Sequence, residues 1–215
     1  MENLESRISI VIRPPKNISD KIMEVKKETG VYYPGYEESF PHISLYHCKF
    51  EESKYPELLK IMSNFVSPTL NFTLTDLKFL VQPKRNSTFI YFNVLESEKL
   101  QKLHEQIVEI VNPFRGDLIR FKDVERYKSG KMTEEEFEYT KKYGFLYFME
   151  RYNPHITIGT IDIGDFQKEK TLKDKLDALA GQKFEVDTIF IRLKRRSIPD
   201  ETVIFKSETT KIQLK

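Results

Sequence analysis

Only four histidines occur in the 215 residues, and two of them stand in almost the same phrase: Phe40-Pro41-His42-Ile43-Ser44-Leu45 and Asn153-Pro154-His155-Ile156-Thr157-Ile158. Each phrase places an imidazole two residues before a hydroxyl. On a β-strand, residues i and i+2 share a face. His42 and Ser44 therefore point one way and Ile43 and Leu45 point to a core, and His155 and Thr157 repeat the layout over Ile156 and Ile158. An imidazole titrates near ~6.5, so it can take or give a proton near neutral pH. Two of them on opposite sides of a phosphodiester supply a base for an attacking water or ribose 2′-hydroxyl and an acid for the departing oxygen. The hydroxyls of Ser44 and Thr157 can donate to non-bridging oxygens as negative charge builds there. Such a site needs no metal, and none is expected, because the sequence holds no obvious metal-ligand cluster. The plain alternative, two unrelated strand histidines satisfied locally, would have to generate the phrase twice.

Around this pair stand residues with two readings each. Tyr46 falls on the His42 face by alternation, and Gly159 is its counterpart in the second phrase. A ring on one side and open space on the other would hold a base by stacking; a tyrosine packed at a cleft edge fits equally well. Arg13 shares a face with Ser9 and Val11, where its guanidinium would reach a phosphate or end a solvated strand. Tyr32, Tyr33 and Tyr36 precede the first motif in a loop that either overhangs the cleft or packs on itself. Arg192, Lys194 and Arg196 alternate onto one face as an RNA-backbone track or a charged hairpin end. His47 is odd-numbered on the His42 strand and should point away from it, and His104 falls on a helix; both read as structural or surface residues.

The elements that must position these groups read coarsely as follows. Arg7 to Arg13 alternates as a strand ended by Pro14-Pro15. A helix capped at Ser19-Asp20 reaches Thr29 and closes at Gly30. His42 to Cys48 is the first motif strand, and Ser53 to Phe65 is a helix. Strands follow at Leu70 to Val81 and Ser87 to Leu95, then a helix from Glu96 to Val111. The second motif strand runs from His155 to Ile161, with a helix from Asp165 to Leu179. The last strands are Phe184 to Lys194 and Thr202 to Leu214, the latter broken near Lys206-Ser207. Each half reads strand, helix, motif strand, helix, strand, so the chain looks duplicated. The opening strands near Arg7 and Ser87 lie about 80 residues apart and the motif histidines 113, a difference matching the charged stretch of about 112–143. That stretch reads as an insertion, with a helix starting at the Thr133/Glu136 capping box, and serves as a lid or rim, or as a solvated excursion.

Composition limits the rest. The chain is 39% hydrophobic and 32% charged with a formal net charge of +2, an ordinary globular profile with weak long-range pull on nucleic acid. One cysteine, Cys48, excludes an internal disulfide and paired-cysteine zinc sites. No signal peptide and no run near the roughly 18 apolar residues of a membrane span are visible. A cytoplasmic protein without membrane attachment, most simply a monomer, is expected.

The pair His42-x-Ser44 and His155-x-Thr157, above all Pro154-His155-Ile156-Thr157-Ile158-Gly159, resembles the signature of the two-histidine (2H) phosphoesterase superfamily, the group of bacterial 2′-5′ RNA ligases and cyclic nucleotide phosphodiesterases. The resemblance implies an α+β, duplicated bilobal fold with an antiparallel sheet and helices in each lobe, the motif strands facing a central cleft. In one such domain over 1–215, lobe one would span about 1–86 and lobe two about 87–215. It gives His42, Ser44, His155 and Thr157 the catalytic positions, with no cofactor. It implies a phosphodiesterase acting on an RNA end or small cyclic nucleotide, at a 2′,3′-cyclic or 2′-5′ phosphodiester. The alternatives are a cyclic oligonucleotide phosphodiesterase and an RNA-binding module that keeps the cleft without turnover. The first motif carries Ser instead of Thr, which retains the hydroxyl, and the insertion leaves the substrate open.

Overall fold

The computed structural model describes residues 4–33, 40–95, 98–199, 203–206 and 210–214. Strand β1 (Leu4–Ile12) buries Ile8, Ile10 and Ile12 completely, as its alternation requires. Helix α1 (Lys16–Thr29) starts a turn before the expected Ser19-Asp20 cap. Pro15 sits at its N-cap, where a missing N–H costs nothing, and the Ser19 hydroxyl bonds back to the Pro14 carbonyl. Gly30, at φ 64°, ends the helix in the left-handed region that glycine adopts freely. Next come β2 (Ile43–Lys49), α2 (Tyr55–Met62), β3 (Leu70–Gln82), β4 (Ser87–Val94) and α3 (Glu98–Arg115), which runs past the expected Val111 and through Pro113. The insertion forms α4 (Phe121–Lys128) and α5 (Glu134–Tyr143). Then follow β5 (His155–Asp162), α6 (Phe166–Leu176), β6 (Lys183–Val186), β7 (Thr188–Ser197), β8 (Val203–Lys206) and β9 (Thr210–Gln213).

The fold is α+β. Every strand pairing is antiparallel, and the strands run β6-β3-β4-β5-β2-β1-β7-β8, with β9 also on β7. The motif strands β2 and β5 stand side by side at the centre, joined at Ile43↔Ile156. On either side the pattern repeats. Val11 pairs with Ser44 as Tyr91 pairs with Thr157, and Ile12 with Ile43 as Phe92 with Ile156. Those are the two offsets of the sequence, 80 residues for β1 and β4 and 113 for the motif strands.

The division of the chain near 86/87 is not the division of the sheet. β3 precedes that point yet pairs with β4, and β7 follows it yet pairs with β1. The strand expected over Phe184 to Lys194 is two strands broken at Asp187, β6 on β3 and β7 on β1. Consecutive strands at nearly opposite ends of the pairing order require the sheet to curve back on itself. One apolar cluster joins the inward residues of both halves to α1, α3 and α6, including Ile22, Leu103, Ile107 and Leu172. At about 25 cal/mol per Å² this burial is the main term holding the halves together.

Candidate active site

Each motif histidine is held in the same way. His42 Nδ1 lies 2.6 Å from the Phe40 carbonyl, and His155 Nδ1 lies 2.8 Å from the Asn153 carbonyl. A carbonyl only accepts, so Nδ1 carries the proton and Nε2 is the unprotonated nitrogen of each ring. Pro41 and Pro154 lie between each ring and its acceptor and favour the extended backbone that brings the carbonyl there. Extending the Ile43↔Ile156 register by one residue sets His42 beside Thr157 and Ser44 beside His155. The four groups form a two-by-two array on one face of the sheet. The histidines stand on its diagonal, a separation of about 7–8 Å between strand positions.

The two imidazoles differ electrostatically. Burial pushes His42 down to about 3, with Arg192, Lys194 and His155 opposing its charge further. His155 is also lowered by burial, against the pull of the Asn153 carbonyl, and no cation among the described residues adds to the shift. On the His155 side the neighbours are rings: Tyr91 at 5.5 Å and Phe89 at 5.9 Å, with Tyr33 edge-on to Phe89. Arg13 lies beside His42 by register, its guanidinium 4.4 Å from the Phe190 ring centroid and 5.0 Å from that of Phe40. Of Tyr46, Gly159 and Arg13, only Arg13 is on this face, which β7 extends with Arg192, Lys194 and Arg196.

Tyr46 and Gly159 are on the other. Ile10 pairs with Tyr46 and Val11 with Ser44, so Leu45 is an extra residue; Ile90 pairs with Gly159 and Tyr91 with Thr157, so Ile158 is extra. A β-bulge reverses the parity of everything after it. Tyr46 is fully buried, stacked on Phe148 at 4.9 Å, and donates to Asn112. Gly159 lies under the chain leaving α1, where an added Cβ would come within 2.8 Å of the Tyr32 backbone. The same shift turns His47 in. It sits opposite Ser9, itself opposite Arg192, and its pKa is lowered by burial and by Arg120, Lys122, Arg7 and His42. Of the loop tyrosines, Tyr32 passes over Gly159, Tyr33 meets Phe89, and Tyr36 lies outside the described residues.

His104, read from sequence as structural or surface, is completely buried and secures the first bulge. It donates Nδ1–H to the carbonyl of Leu45 at 2.7 Å and accepts the Met149 N–H at Nε2 at 2.8 Å. Its ring stacks on Tyr152 at 3.9 Å, and the Tyr152 hydroxyl donates to the Ser44 carbonyl. One imidazole thus ties the first motif to the segment that leads into the second.

The insertion closes on itself. Arg115 donates to the carbonyls of Leu118, Lys141 and Lys142, and Asn112 donates to Lys142, so the two ends meet. Thr133 and Glu136 make the expected capping box. The first turn of α4 reaches β1, where the Phe121 N–H donates to Glu5, and Arg120 lies 4.3 Å over the Phe145 ring that packs on His47. Among the described residues, no three His, Cys, Asp or Glu side chains group closely enough to hold a metal, and no helix is long and apolar enough to cross a membrane. An open depression lined by Asp76, Lys78, Lys173 and Asp177 contains none of the motif groups.

Comparison with known proteins follows this geometry. A solved structure from Thermus thermophilus, TT0787, shares 12% identity over 93% of this chain and 96% of its own, with a TM-score of 0.51. E. coli LigT, solved with phosphate, shares 11% identity over 98% of this chain and 99% of its own at a TM-score of 0.47. Usb1 of Kluyveromyces marxianus shares 11% over 99% of both chains at 0.43. No curated protein matches the chain in sequence. The family model of the 2′-5′ RNA ligase superfamily matches residues 14–197, taking in both histidine motifs and the strands that carry them, and the chain belongs to that superfamily.

Proposed function

We propose that this protein is a metal-independent phosphoesterase that acts on a 2′,3′-cyclic or 2′-5′ phosphodiester of an RNA end or small nucleotide. The observation that carries this reading is the matched pair His42 and His155, each with Nδ1 on the carbonyl two residues before it and each beside a hydroxyl of the opposite motif. His42 takes the base role in this reading because burial, Arg192 and Lys194 keep it neutral, with its Nδ1 on the Phe40 carbonyl. His155, with no cation among the described residues opposing its charge, takes the acid role. With a 2′,3′-cyclic phosphate, His42 takes a proton from water as its oxygen bonds to phosphorus. The bond to one ribose oxygen breaks, that oxygen takes the proton from His155, and a phosphomonoester results. With a 2′-5′ linkage the neighbouring 3′-hydroxyl attacks instead, leaving a cyclic phosphate and a 5′-hydroxyl. Ser44 and Thr157 donate to the non-bridging oxygens.

The test is incubation with 2′,3′-cyclic nucleotides, 2′-5′-linked dinucleotides and cyclic dinucleotides in the presence of a chelator. Product formation that disappears in His42→Ala and in His155→Ala is the expected result. Binding without product, indifferent to either substitution, would leave an RNA-binding module. Loss of turnover on adding chelator alone would remove the metal-free mechanism.

A further inference from the structure

The two sides of the reacting pair are walled differently. On the His155 side, β4 sets Tyr91 opposite Thr157 and Phe89 opposite Thr160. The Phe89 and Tyr91 rings stack on one another at 5.2 Å, and each stands T-shaped to the His155 imidazole. β3 adds Leu80 beside Phe89, and Leu80 is 50% exposed. Tyr33 meets Phe89 edge-on at 5.9 Å, and its hydroxyl accepts from Arg85, in the turn between β3 and β4, at 3.2 Å. Phe89 and Tyr91 are half-buried. The rings thus form an apolar shelf that begins at His155 and stays open at Leu80.

The duplication supplies an internal comparison. The positions equivalent to Tyr91 and Phe89 in the other half are Val11 and Ser9, and the position equivalent to Leu80 is Arg192. The strand frame and the motif therefore do not need rings there. On the His42 side the nearby rings are Phe190 and Phe40, and each carries the Arg13 guanidinium over its face. One side thus presents a cation laid on rings, and the other presents rings alone. An aromatic surface that touches a reacting imidazole and runs out to an exposed leucine is suited to a flat, apolar part of a substrate. In a nucleotide that part is the base, and a ring stacks on any base because every base has a π-face.

We propose that Phe89 and Tyr91, with Leu80 and Tyr33 at the margin, seat the base of the nucleoside that carries the leaving oxygen, so that the base is read on one side of the scissile phosphate only. This rests on the reading of His155 as the acid. The oxygen that His155 protonates is the leaving one, so whatever is attached to it lies on the side of the shelf. In a 2′-5′ linkage that is the nucleoside joined through its 5′-oxygen. The nucleoside whose 3′-hydroxyl attacks lies beside His42 and Arg13. Its 3′-oxygen bonds to phosphorus as the proton passes to His42, and the bond to the 5′-oxygen breaks as that oxygen takes the His155 proton. In a 2′,3′-cyclic mononucleotide the single nucleoside carries the leaving oxygen and takes the shelf.

The test uses three 2′-5′ dinucleotides: one with adenine on both sugars, one with hydrogen in place of the base on the 5′-linked sugar, and one with that replacement on the 2′-linked sugar. Loss of the 5′-linked base is expected to lower kcat/KM about fivefold or more, and loss of the other base by less than about twofold. The reverse pattern, or equal losses, overturns the proposal. Phe89→Leu and Tyr91→Leu are each expected to bring the ratio between the first two ligands towards one, with melting curves checking that the variants fold. A drop in activity that is equal for both ligands, with the ratio kept, means that the rings only hold His155, and overturns it too. The same three ligands with a 3′-deoxy attacking sugar cannot transesterify, and report binding alone by calorimetry. Dependence on the 5′-linked base in binding, without turnover of the hydroxylated set, keeps the shelf and sinks the acid–base reading. Binding that ignores that base, or no binding of any of the three, overturns the shelf.

Discussion

His42 and His155 are alike in hydrogen bonding and unlike in field, and that difference predicts a pH profile. Productive free protein needs His42 neutral and His155 charged. His42 protonates only near about 3, whereas His155 loses its proton below its ordinary value of 6.5. kcat/KM is therefore expected to rise as pH climbs through about 3 and to fall before or near 6.5, a bell on the acid side of neutrality. An optimum above pH 8 would contradict an acid–base pair made of these two imidazoles. Replacing either histidine by Ala is expected to lower kcat by roughly 10²–10⁴. Tyr46 and Gly159 give the opposite expectation. Tyr46→Phe loses one buried hydrogen bond, about 1 kcal/mol of stability, with KM unchanged. Gly159→Ala drives a methyl into the Tyr32 backbone and lowers the melting temperature. A large rise in KM from Tyr46→Phe would restore that residue to the substrate.

At the scale of elements, the site depends on two bulges, and the first is pinned by a neutral imidazole. Burial lowers His104 to about 4, against an ordinary value of 6.5. Charging it would end its acceptance of the Met149 N–H. Because the folded pKa lies below the unfolded one, the unfolded chain binds more protons between those values. Stability is fully present above pH 6.5 and falls as pH drops towards about 4, a contribution on the order of 3 kcal/mol. His104→Gln is expected to be less stable at pH 7 and to flatten this part of the curve in urea titrations. An unchanged slope would place the acid sensitivity elsewhere. The stretch read as an insertion stood out because the two offsets differ by about 33 residues, and its capping box is a local pattern. That its ends meet at Arg115, and that α4 comes down on β1, are long-range facts no local pattern encodes.

The whole molecule is two similar half-sheets that exchange strands. β3 is contributed by the first half of the chain to the β4–β5 side, and β7 by the second half to the β1–β2 side. A fragment of residues 1–86 would leave β1 without β7, and one of 87–215 would leave β4 without β3. Each fragment alone is expected to lack the tertiary dispersion of a folded domain in NMR spectra, and the two mixed are expected to regain it. Independent folding of either would contradict a core shared across both halves. The cluster that includes Ile10, Ile22, Leu103, Ile156 and Leu172 is that shared core.

By itself the sequence determined the repeated phrase, the α+β pattern, the duplication and the four motif side chains on one face. All of these rest on periodicities of a few residues, or on the likeness of two segments. It also carried a hint of the bulges: buried apolar residues fall at 43, 45, 46 and 48, and at 156, 158 and 161, so the alternation changes parity inside each strand. Only the tertiary structure decided which residues that change brought in. His47 came to the motif face and Tyr46 went to the core because a bulge is fixed by pairing with β1, by His104 and by Tyr152, all distant in the chain. The gathering of Arg192 and Lys194 beside His42 depends likewise on β7 returning to β1 after about 180 residues. Register across such separations is set by the packing of the whole core, and no window of neighbouring residues contains it.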